Sequence, residues 1–94
     1  MDVIGKLKIV EFYKKYVDSS KPLQVWLTEA EDASWQTPHD IKNRYASASI
    51  LKDNHFIFNI KGNNYRIDTI IDFQRQIIYI ERVGTHKDYN KWKF

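Results

Sequence analysis

The chain has 94 residues, 43% of them hydrophobic and 29% charged, which excludes disorder and fits one folded domain over residues 1–94. Without cysteine, a signal-peptide pattern or an apolar run near the roughly 18 residues of a membrane span, we expect a cytoplasmic protein free of disulfides and thiolate chemistry. The formal charge of +3 is concentrated from Lys42 onward, among ten basic and five acidic residues, as in a polyanion-binding surface or a merely solvated lysine-rich one.

The first third of the chain is predicted to form two amphipathic helices. Apolar residues recur at helical spacing over 6–17, and Pro22 suits the first position of a second helix, where a proline loses no hydrogen bond. The apolar positions of the second helix follow the same spacing: Leu23, Trp26, Leu27 and Ala30. We expect an antiparallel helix pair whose aromatic stripe lies in the core, with Glu29, Glu31 and Asp32 facing water.

A third, short helix is predicted from Pro38 to Tyr45. Thr37 is a capping residue, and Asp40 stands three positions later, as in a capping box. Ile41 and Tyr45 would then point inward. The small polar residues of 46–49 are predicted to loop into the first strand.

Three apolar, β-branched runs follow and are predicted to pair as an antiparallel meander. They span 55–60, 64–71 and 77–83. The Gly62-Asn63 pair suits the positive φ angles of the first hairpin turn. In the last run both parities are apolar, so either Ile78 and Ile80 or Tyr79 and Val83 face the helices.

Alternation in the second run separates two faces. One face carries Tyr65, Ile67, Thr69 and Ile71, and the other carries Arg66, Asp68, Ile70 and Asp72. One of the two faces is expected to pack against the helices. Arg66 is expected in an exposed or partly covered groove on the other, because a guanidinium is rarely buried without a partner.

A short C-terminal helix is predicted where Thr85 and Asp88 repeat the capping pattern. This helix places His86, Tyr89 and Asn90 at i, i+3 and i+4, which puts them on one face. That face begins where the third strand ends, close to the strand that carries Arg66.

The polar side chains of this half suit the metal-free cleavage of RNA. The candidates are Arg66, His86, Tyr89, Lys61, Asn63 and Lys87. The three histidines show no metal-ligand spacing, and neither a phosphate loop nor a Ser-His-Asp pattern occurs, so we expect no metal and no cofactor. In such cleavage the ribose 2′-hydroxyl is the nucleophile, while the enzyme positions the phosphate, transfers protons and neutralises charge.

Each candidate side chain fits one of these tasks. The planar fork of Arg66 matches two phosphate oxygens, and an imidazole such as His86 exchanges protons near neutral pH. Tyr89 would stack on a base, orient the 2′-hydroxyl or share the acid role. His39 and His55 are interpreted as incidental.

Three segments stand in the order and spacing of one known family. They are Trp35-x-Thr37-Pro38-x-Asp40-Ile41-Lys42, Phe58-Asn59-Ile60-Lys61-Gly62-Asn63-Asn64-Tyr65-Arg66-Ile67 and Thr85-His86-Lys87-Asp88-Tyr89. With their FN-x-x-GN-x-YR and TH-x-x-Y motifs, they resemble the HigB family of bacterial type II toxins, in the RelE-like superfamily. The resemblance is close from Trp35 to about Asn90 and covers the first two helices in layout only.

This resemblance implies an α+β, RelE-like fold, with two N-terminal helices on a twisted antiparallel sheet of three to four strands and a short C-terminal helix. Family members are endoribonucleases, called mRNA interferases, that usually cut messenger RNA on the translating ribosome and so inhibit translation. Each is held inactive by a HigA-type helix-turn-helix antitoxin. The resemblance implies neither a membrane partner nor DNA binding by the toxin alone.

Site residues follow from the resemblance by position. The catalytic set would be Arg66, His86 and Tyr89, and the RNA-binding set would be Lys61, Asn63 and Lys87. Asn90 stands where an aspartate is common in the family. If that acid assists the histidine, this chain either lacks the assistance or finds it in Asp88.

Two alternative functions stay open at this point. One is an RNA-binding module without catalysis, in which Arg66, Lys61 and Lys87 hold phosphates and Tyr65 or Tyr89 stacks on bases. The other is a ParE-like toxin of the same superfamily, which would poison DNA gyrase. Such toxins generally lack the histidine and tyrosine of the final helix, so His86 and Tyr89 argue against it.

Overall fold

A computed structural model describes residues 1–94 and shows a five-stranded mixed sheet. The strands are β1 (Asp2–Ile4), β2 (Ser49–Ile50), β3 (His55–Ile60), β4 (Tyr65–Asp72) and β5 (Ile77–Thr85). Their spatial order is β1-β5-β4-β3-β2, with β1 parallel to β5 and the other pairs antiparallel. The predicted α+β fold and its central meander are confirmed, but the sheet has one strand more than expected and is not wholly antiparallel.

The unexpected parallel pairing involves β1, which the sequence analysis missed. Its three residues are too few to show an alternating pattern. Gly5 follows with a φ of 97° and leads into the first helix, and a Cβ there would stand 3.0 Å from the carbonyl oxygen of Ile80. A glycine therefore suits both the backbone conformation and the close approach to β5.

Four helices accompany the sheet. They are α1 (Lys6–Lys15), α2 (Ser20–Asp32), α3 (Pro38–Arg44) and α4 (His86–Tyr89). A single 3-10 turn, Val17–Ser19, joins α1 to α2. Pro22 was predicted at the first position of the second helix, but it is the third residue of α2. The N–H of that position also lacks a partner within a helix, so the proline still loses no hydrogen bond.

Both predicted capping boxes are confirmed. The Thr37 hydroxyl accepts from the backbone N–H of Asp40 at 3.4 Å, and the Thr85 hydroxyl accepts from that of Asp88 at 3.1 Å. In each box the aspartate carboxylate accepts in return from the threonine N–H. These contacts begin α3 and α4 where the sequence placed them.

One hydrophobic cluster joins the helices to one face of the sheet. Its buried members are Val3, Ile9, Leu23, Trp26, Ala30, Trp35, Ile41, Ala48, Phe56, Phe58, Ile60, Tyr65, Ile67, Ile71, Ile78 and Ile80. In β4, the face that begins with Tyr65 is therefore the one that meets the helices. The aromatic stripe of α1 and α2 packs against the same cluster, as predicted. None of the helices is both long and apolar enough to cross a membrane.

A β-bulge explains why both parities of β5 are apolar. Asp68 pairs with Arg82 and Thr69 with Ile80, so Glu81 has no partner on β4. The extra residue reverses the alternation. Ile80 before the bulge and Val83 after it both face the cluster, whereas Arg82 lies opposite Asp68 on the other face. We call that other face, which carries Arg66 and Asp68, the outer face.

The core assignment can be tested with two isoleucines that differ in burial. Ile67 is fully buried in β4, whereas Ile50 in β2 is 46% exposed. We expect Ile67→Ala to lower the free energy of unfolding by about 2–5 kcal/mol, because it leaves a cavity in a packed core. Ile50→Ala, the matched control, should change it by less than about 1 kcal/mol. Urea unfolding followed by tryptophan fluorescence measures both, and equal losses would contradict the assignment.

Candidate functional site

The candidate site is built around Arg66, near the start of β4 on the outer face. Its Nη1 donates to the carbonyl oxygen of Asn63 at 2.7 Å, and its Nη2 lies 3.0 Å from Nδ1 of His86. The guanidinium carbon stands 5.1 Å from the centre of the Tyr89 ring, as in a cation–π contact. The structure therefore brings together the three residues that the sequence analysis selected as a catalytic set.

Arg66 is more covered than the sequence analysis expected. Only 7% of the residue is exposed, whereas an exposed or partly covered groove was predicted. The guanidinium can be buried because a carbonyl oxygen, an imidazole nitrogen and an aromatic ring surround it. His86 itself is exposed and Tyr89 is half-buried, so the cluster opens to solvent through α4.

The hydrogen bond to Arg66 fixes the tautomer of His86. An arginine side chain can only donate, so Nδ1 of the imidazole must accept. The neutral ring then carries its hydrogen on Nε2. The backbone N–H of His86 also donates to the carbonyl oxygen of Asn64 at 3.0 Å, which ties the start of α4 to the turn between β3 and β4.

The predicted RNA-binding residues are not all at this cluster. Asn63 reaches Arg66 through its backbone oxygen, while its side chain is exposed. Lys87 is exposed and follows His86 directly. Lys61 is engaged elsewhere, because its ammonium lies 2.7 Å from the carboxylate of Asp18, between α1 and α2. It therefore points to the helix side of the sheet and away from the outer face.

Asp18 is the centre of that second contact. Its carboxylate accepts from Lys61 and from the Tyr65 hydroxyl, and the hydrogen bond from Lys61, followed by that from Tyr65, lowers the pKa of Asp18. The same contact raises the pKa of Tyr65. Lys61 thus serves an ion pair in the isolated chain.

The Asp88 carboxylate caps α4 and makes no hydrogen bond to the His86 ring. This carboxylate accepts from the Thr85 N–H at 3.0 Å, and this backbone hydrogen bond lowers the pKa of Asp88. The side-chain hydrogen-bond partner of His86 is Arg66. The structure therefore shows the Asp88 carboxylate in the capping box and not in contact with the His86 ring.

The sequence analysis missed a second polar group on the outer face. Asp68 is fully buried, with one carboxylate oxygen 2.8 Å from Nδ1 of His55 and the other accepting from Nε of Arg82 at 2.8 Å. His55 therefore has a structural contact that the sequence did not predict, while its lack of a role in function stays a prediction. A carboxylate in the middle of an apolar strand was the available signal, since it needs partners when buried.

The largest concavity lies away from the Arg66 cluster. It measures about 380 Å³ and lies between α2, α3 and the end of β3. Arg44 and Tyr45 both donate there to Glu29. Glu29 was predicted to face water, but it is paired with these two side chains. Burial and the hydrogen bond to Glu29 raise the pKa of Tyr45. The hydrogen bonds from Tyr45 and Arg44 lower the pKa of Glu29.

No group of three or more histidine, aspartate or glutamate side chains lies close enough together to hold a metal ion. The polar groups of the outer face instead form two clusters, one around Arg66 and one around Asp68. The first cluster combines a cation, an imidazole and a phenol. Such a set can bind an anion and exchange protons at the same point.

A family model and individual proteins of known name are similar to this chain in sequence. A family model of the HigB toxins, described as the RelE-like toxic component of a toxin–antitoxin system, matches residues 19–92. The chain is also 27% identical over 92 residues to the mRNA interferase toxin HigB of Escherichia coli K12, an alignment that covers 96% of this chain and 88% of that protein. Proteins named mRNA interferase HigB from Escherichia coli O157:H7 and Shigella flexneri match with the same identity and coverage.

The Asp18 contact predicts how stability depends on pH. Because the pKa of Asp18 is lowered from its ordinary value of 3.8, the carboxylate stabilises the fold above that value. The contribution is lost as the pH falls through the lowered pKa. We expect Asp18→Asn to be less stable than the wild type at neutral pH, with a difference that shrinks below about pH 4. Urea unfolding at a series of pH values measures this difference.

Asp53→Asn is the matched control for this prediction. Asp53 is an exposed turn residue that forms no ion pair, and its positive φ of 58° suits asparagine. This substitution should leave the pH dependence unchanged. A loss of stability in Asp18→Asn that stays constant from neutral to acid pH would contradict the role of the carboxylate charge.

Proposed function

This chain belongs to the HigB family, the RelE-like toxic components of toxin–antitoxin systems, and we propose that it is an endoribonuclease that cleaves messenger RNA. The main support is the Arg66 cluster, in which a guanidinium, an imidazole and a phenol meet on the outer face. The name mRNA interferase, carried by relatives from Escherichia coli and Shigella flexneri, points to the same activity.

Arg66 would bind the scissile phosphate and neutralise its charge. Two of the five guanidinium N–H groups are used by Asn63 and His86, which leaves the others for phosphate oxygens. The cation is already oriented and partly desolvated before RNA arrives. Such a charge stabilises a developing dianion more strongly than a mobile surface cation would.

His86 would act as a hydrogen donor in the arrangement seen. Because its Nδ1 accepts from Arg66, the hydrogen of the neutral ring is on Nε2, in the exposed part of the cluster. This atom is suited to donate a hydrogen bond to a phosphate oxygen or to the leaving 5′ oxygen. To transfer a proton to the leaving oxygen, the ring would first have to take up a second proton at Nδ1 and give up the bond to Arg66. To act instead as a base, the ring would have to change tautomer and give up the bond to Arg66.

Tyr89 and Lys87 complete the proposed site. The Tyr89 ring covers the guanidinium, and its hydroxyl would orient the ribose 2′-hydroxyl. Lys87 and the Asn63 side chain are exposed beside the cluster and would contact neighbouring phosphates. Lys61 would join them only after leaving Asp18, so we assign it the weakest role in RNA binding.

We also propose the partners and the place of action. The substrate would be messenger RNA on the translating ribosome, in the cytoplasm, and the antitoxin would be of the HigA type, with a helix-turn-helix fold. Membership of a toxin family implies an antitoxin. The ribosome would supply an extended, single-stranded RNA whose bases and phosphates are open to protein contacts.

The central test is loss of toxicity. We expect Arg66→Ala and His86→Ala each to relieve growth arrest and to slow messenger RNA cleavage on purified ribosomes by about 100-fold or more, the usual scale for a lost charge stabiliser or proton donor. The double variant should lose little more than the worse single variant, because the two groups act as one unit.

Arg75→Ala and His39→Ala are the matched controls, since both side chains are exposed and lie outside the cluster. They should stay fully toxic. Circular dichroism must show that all four single variants are folded. Toxicity that survives both cluster substitutions would refute the proposal. Salt-sensitive RNA binding without fragments would instead indicate an RNA-binding module, and growth arrest through DNA gyrase would indicate a ParE-like toxin.

A further inference from the structure

The segment that follows α4 lies on the outer face beside the candidate site. The guanidinium of Arg82 stands 4.8 Å from the ring centre of Trp92 and 5.0 Å from that of Phe94. Its Nη2 also donates to the carbonyl oxygen of Lys93 at 3.2 Å. Residues 92–94 are therefore held to β5 through one arginine.

Arg82 is in turn held by a buried charge. Asp68 is fully buried, and its second oxygen accepts from Nε of Arg82 at 2.8 Å while the first contacts His55. A buried carboxylate that lost its cation would be strongly destabilised. The ion pair therefore holds the Arg82 side chain where its guanidinium lies against the two aromatic rings.

Trp92 connects this anchor to the candidate site. A Cβ on Gly84 would stand 2.7 Å from Cζ2 of Trp92, so the indole lies directly on the backbone of β5. The indole also packs edge-on against Tyr89, with ring centres 5.8 Å apart. Tyr89 then covers Arg66. Contacts thus run without a gap from Asp68 through Arg82, Trp92 and Tyr89 to Arg66.

Helix α4 needs such external support. It has four residues and none of them is buried, whereas isolated helices shorter than about 12 residues are marginal in water. Its capping box joins Thr85 to Asp88 and makes no contact with the Tyr89 side chain. Contacts outside α4 must therefore support the placement of Tyr89 against Arg66, and Trp92 is an aromatic neighbour of Tyr89.

We propose that Asp68, Arg82 and Trp92 form a positioning relay that holds Tyr89 and His86 of α4 against Arg66 and thereby sets the rate of RNA cleavage without contacting RNA. This inference rests on the proposed function. We assign Arg82 a positioning role, because its Nε and Nη2 are bonded within the protein and its guanidinium lies against two aromatic rings.

The first test replaces Trp92 by alanine and, as a conservative rescue, by phenylalanine. Long-range proton–nitrogen NMR spectra of the imidazole rings report the tautomer of His86. We expect the wild type and Trp92→Phe to show the Nε2–H form, and Trp92→Ala to show a mixture of tautomers because the bond to Arg66 is released. Single-turnover cleavage should be about tenfold slower in Trp92→Ala, with the half-saturating RNA concentration unchanged.

A second variant, Arg82→Lys, keeps a positive charge for Asp68 but lacks a planar group that can stack on the rings. It should shift the His86 spectrum and the rate in the same direction as Trp92→Ala. Tyr13→Ala is the control for a general loss of stability, since Tyr13 packs on the core from α1. It should lower the unfolding temperature without changing the His86 spectrum or the cleavage rate.

The spectra separate this inference from the proposed function. If the wild type cleaves no RNA, the proposed function fails. An unchanged His86 spectrum in Trp92→Ala would overturn the relay, whether or not the wild type cleaves RNA. A changed spectrum with an unchanged rate would also overturn it. A higher half-saturating RNA concentration at an unchanged maximal rate would show that Trp92 binds RNA directly, which the relay excludes.

Discussion

The hydrogen bond between Arg66 and His86 is the contact on which the outer face depends. It joins the central strand of the sheet to a helix of four residues, and it does so through two side chains that could both carry positive charge. Since an arginine can only donate, Nδ1 of the imidazole has to be the acceptor. This contact therefore sets the tautomer of the neutral His86 ring and ties α4 to the central strand.

The features that the sequence predicted correctly depend on residues close together in the chain. The capping pairs that begin α3 and α4 span three residues each, and the helix-facing parity of β4 follows from alternation within one strand. Capping and alternation act over short distances and need no knowledge of the tertiary structure. The meeting of Arg66 with His86 and Tyr89 could be anticipated because β4, β5 and α4 are consecutive.

The features that the sequence did not predict depend on distant partners. The pairing of β1 with β5 joins residues more than 70 positions apart, and Lys61 is held by Asp18, 43 positions away. The contact of Asp68 with Arg82 depends on the register between β4 and β5, which the bulge at Glu81 shifts by one residue. Burial of Arg66 likewise needed the tertiary structure, because the aromatic ring that covers it belongs to α4.

The extra residue at Glu81 also matters for comparing this chain with its homologues. A protein whose last strand lacked that residue would keep a regular ladder. Each later position, counted along the chain, would then lie on the opposite side from the position of the same number here. An alignment without a gap there would then match inward positions of one protein with outward positions of the other. Functional residues of distant homologues should therefore be equated by sheet register rather than by counting along the chain.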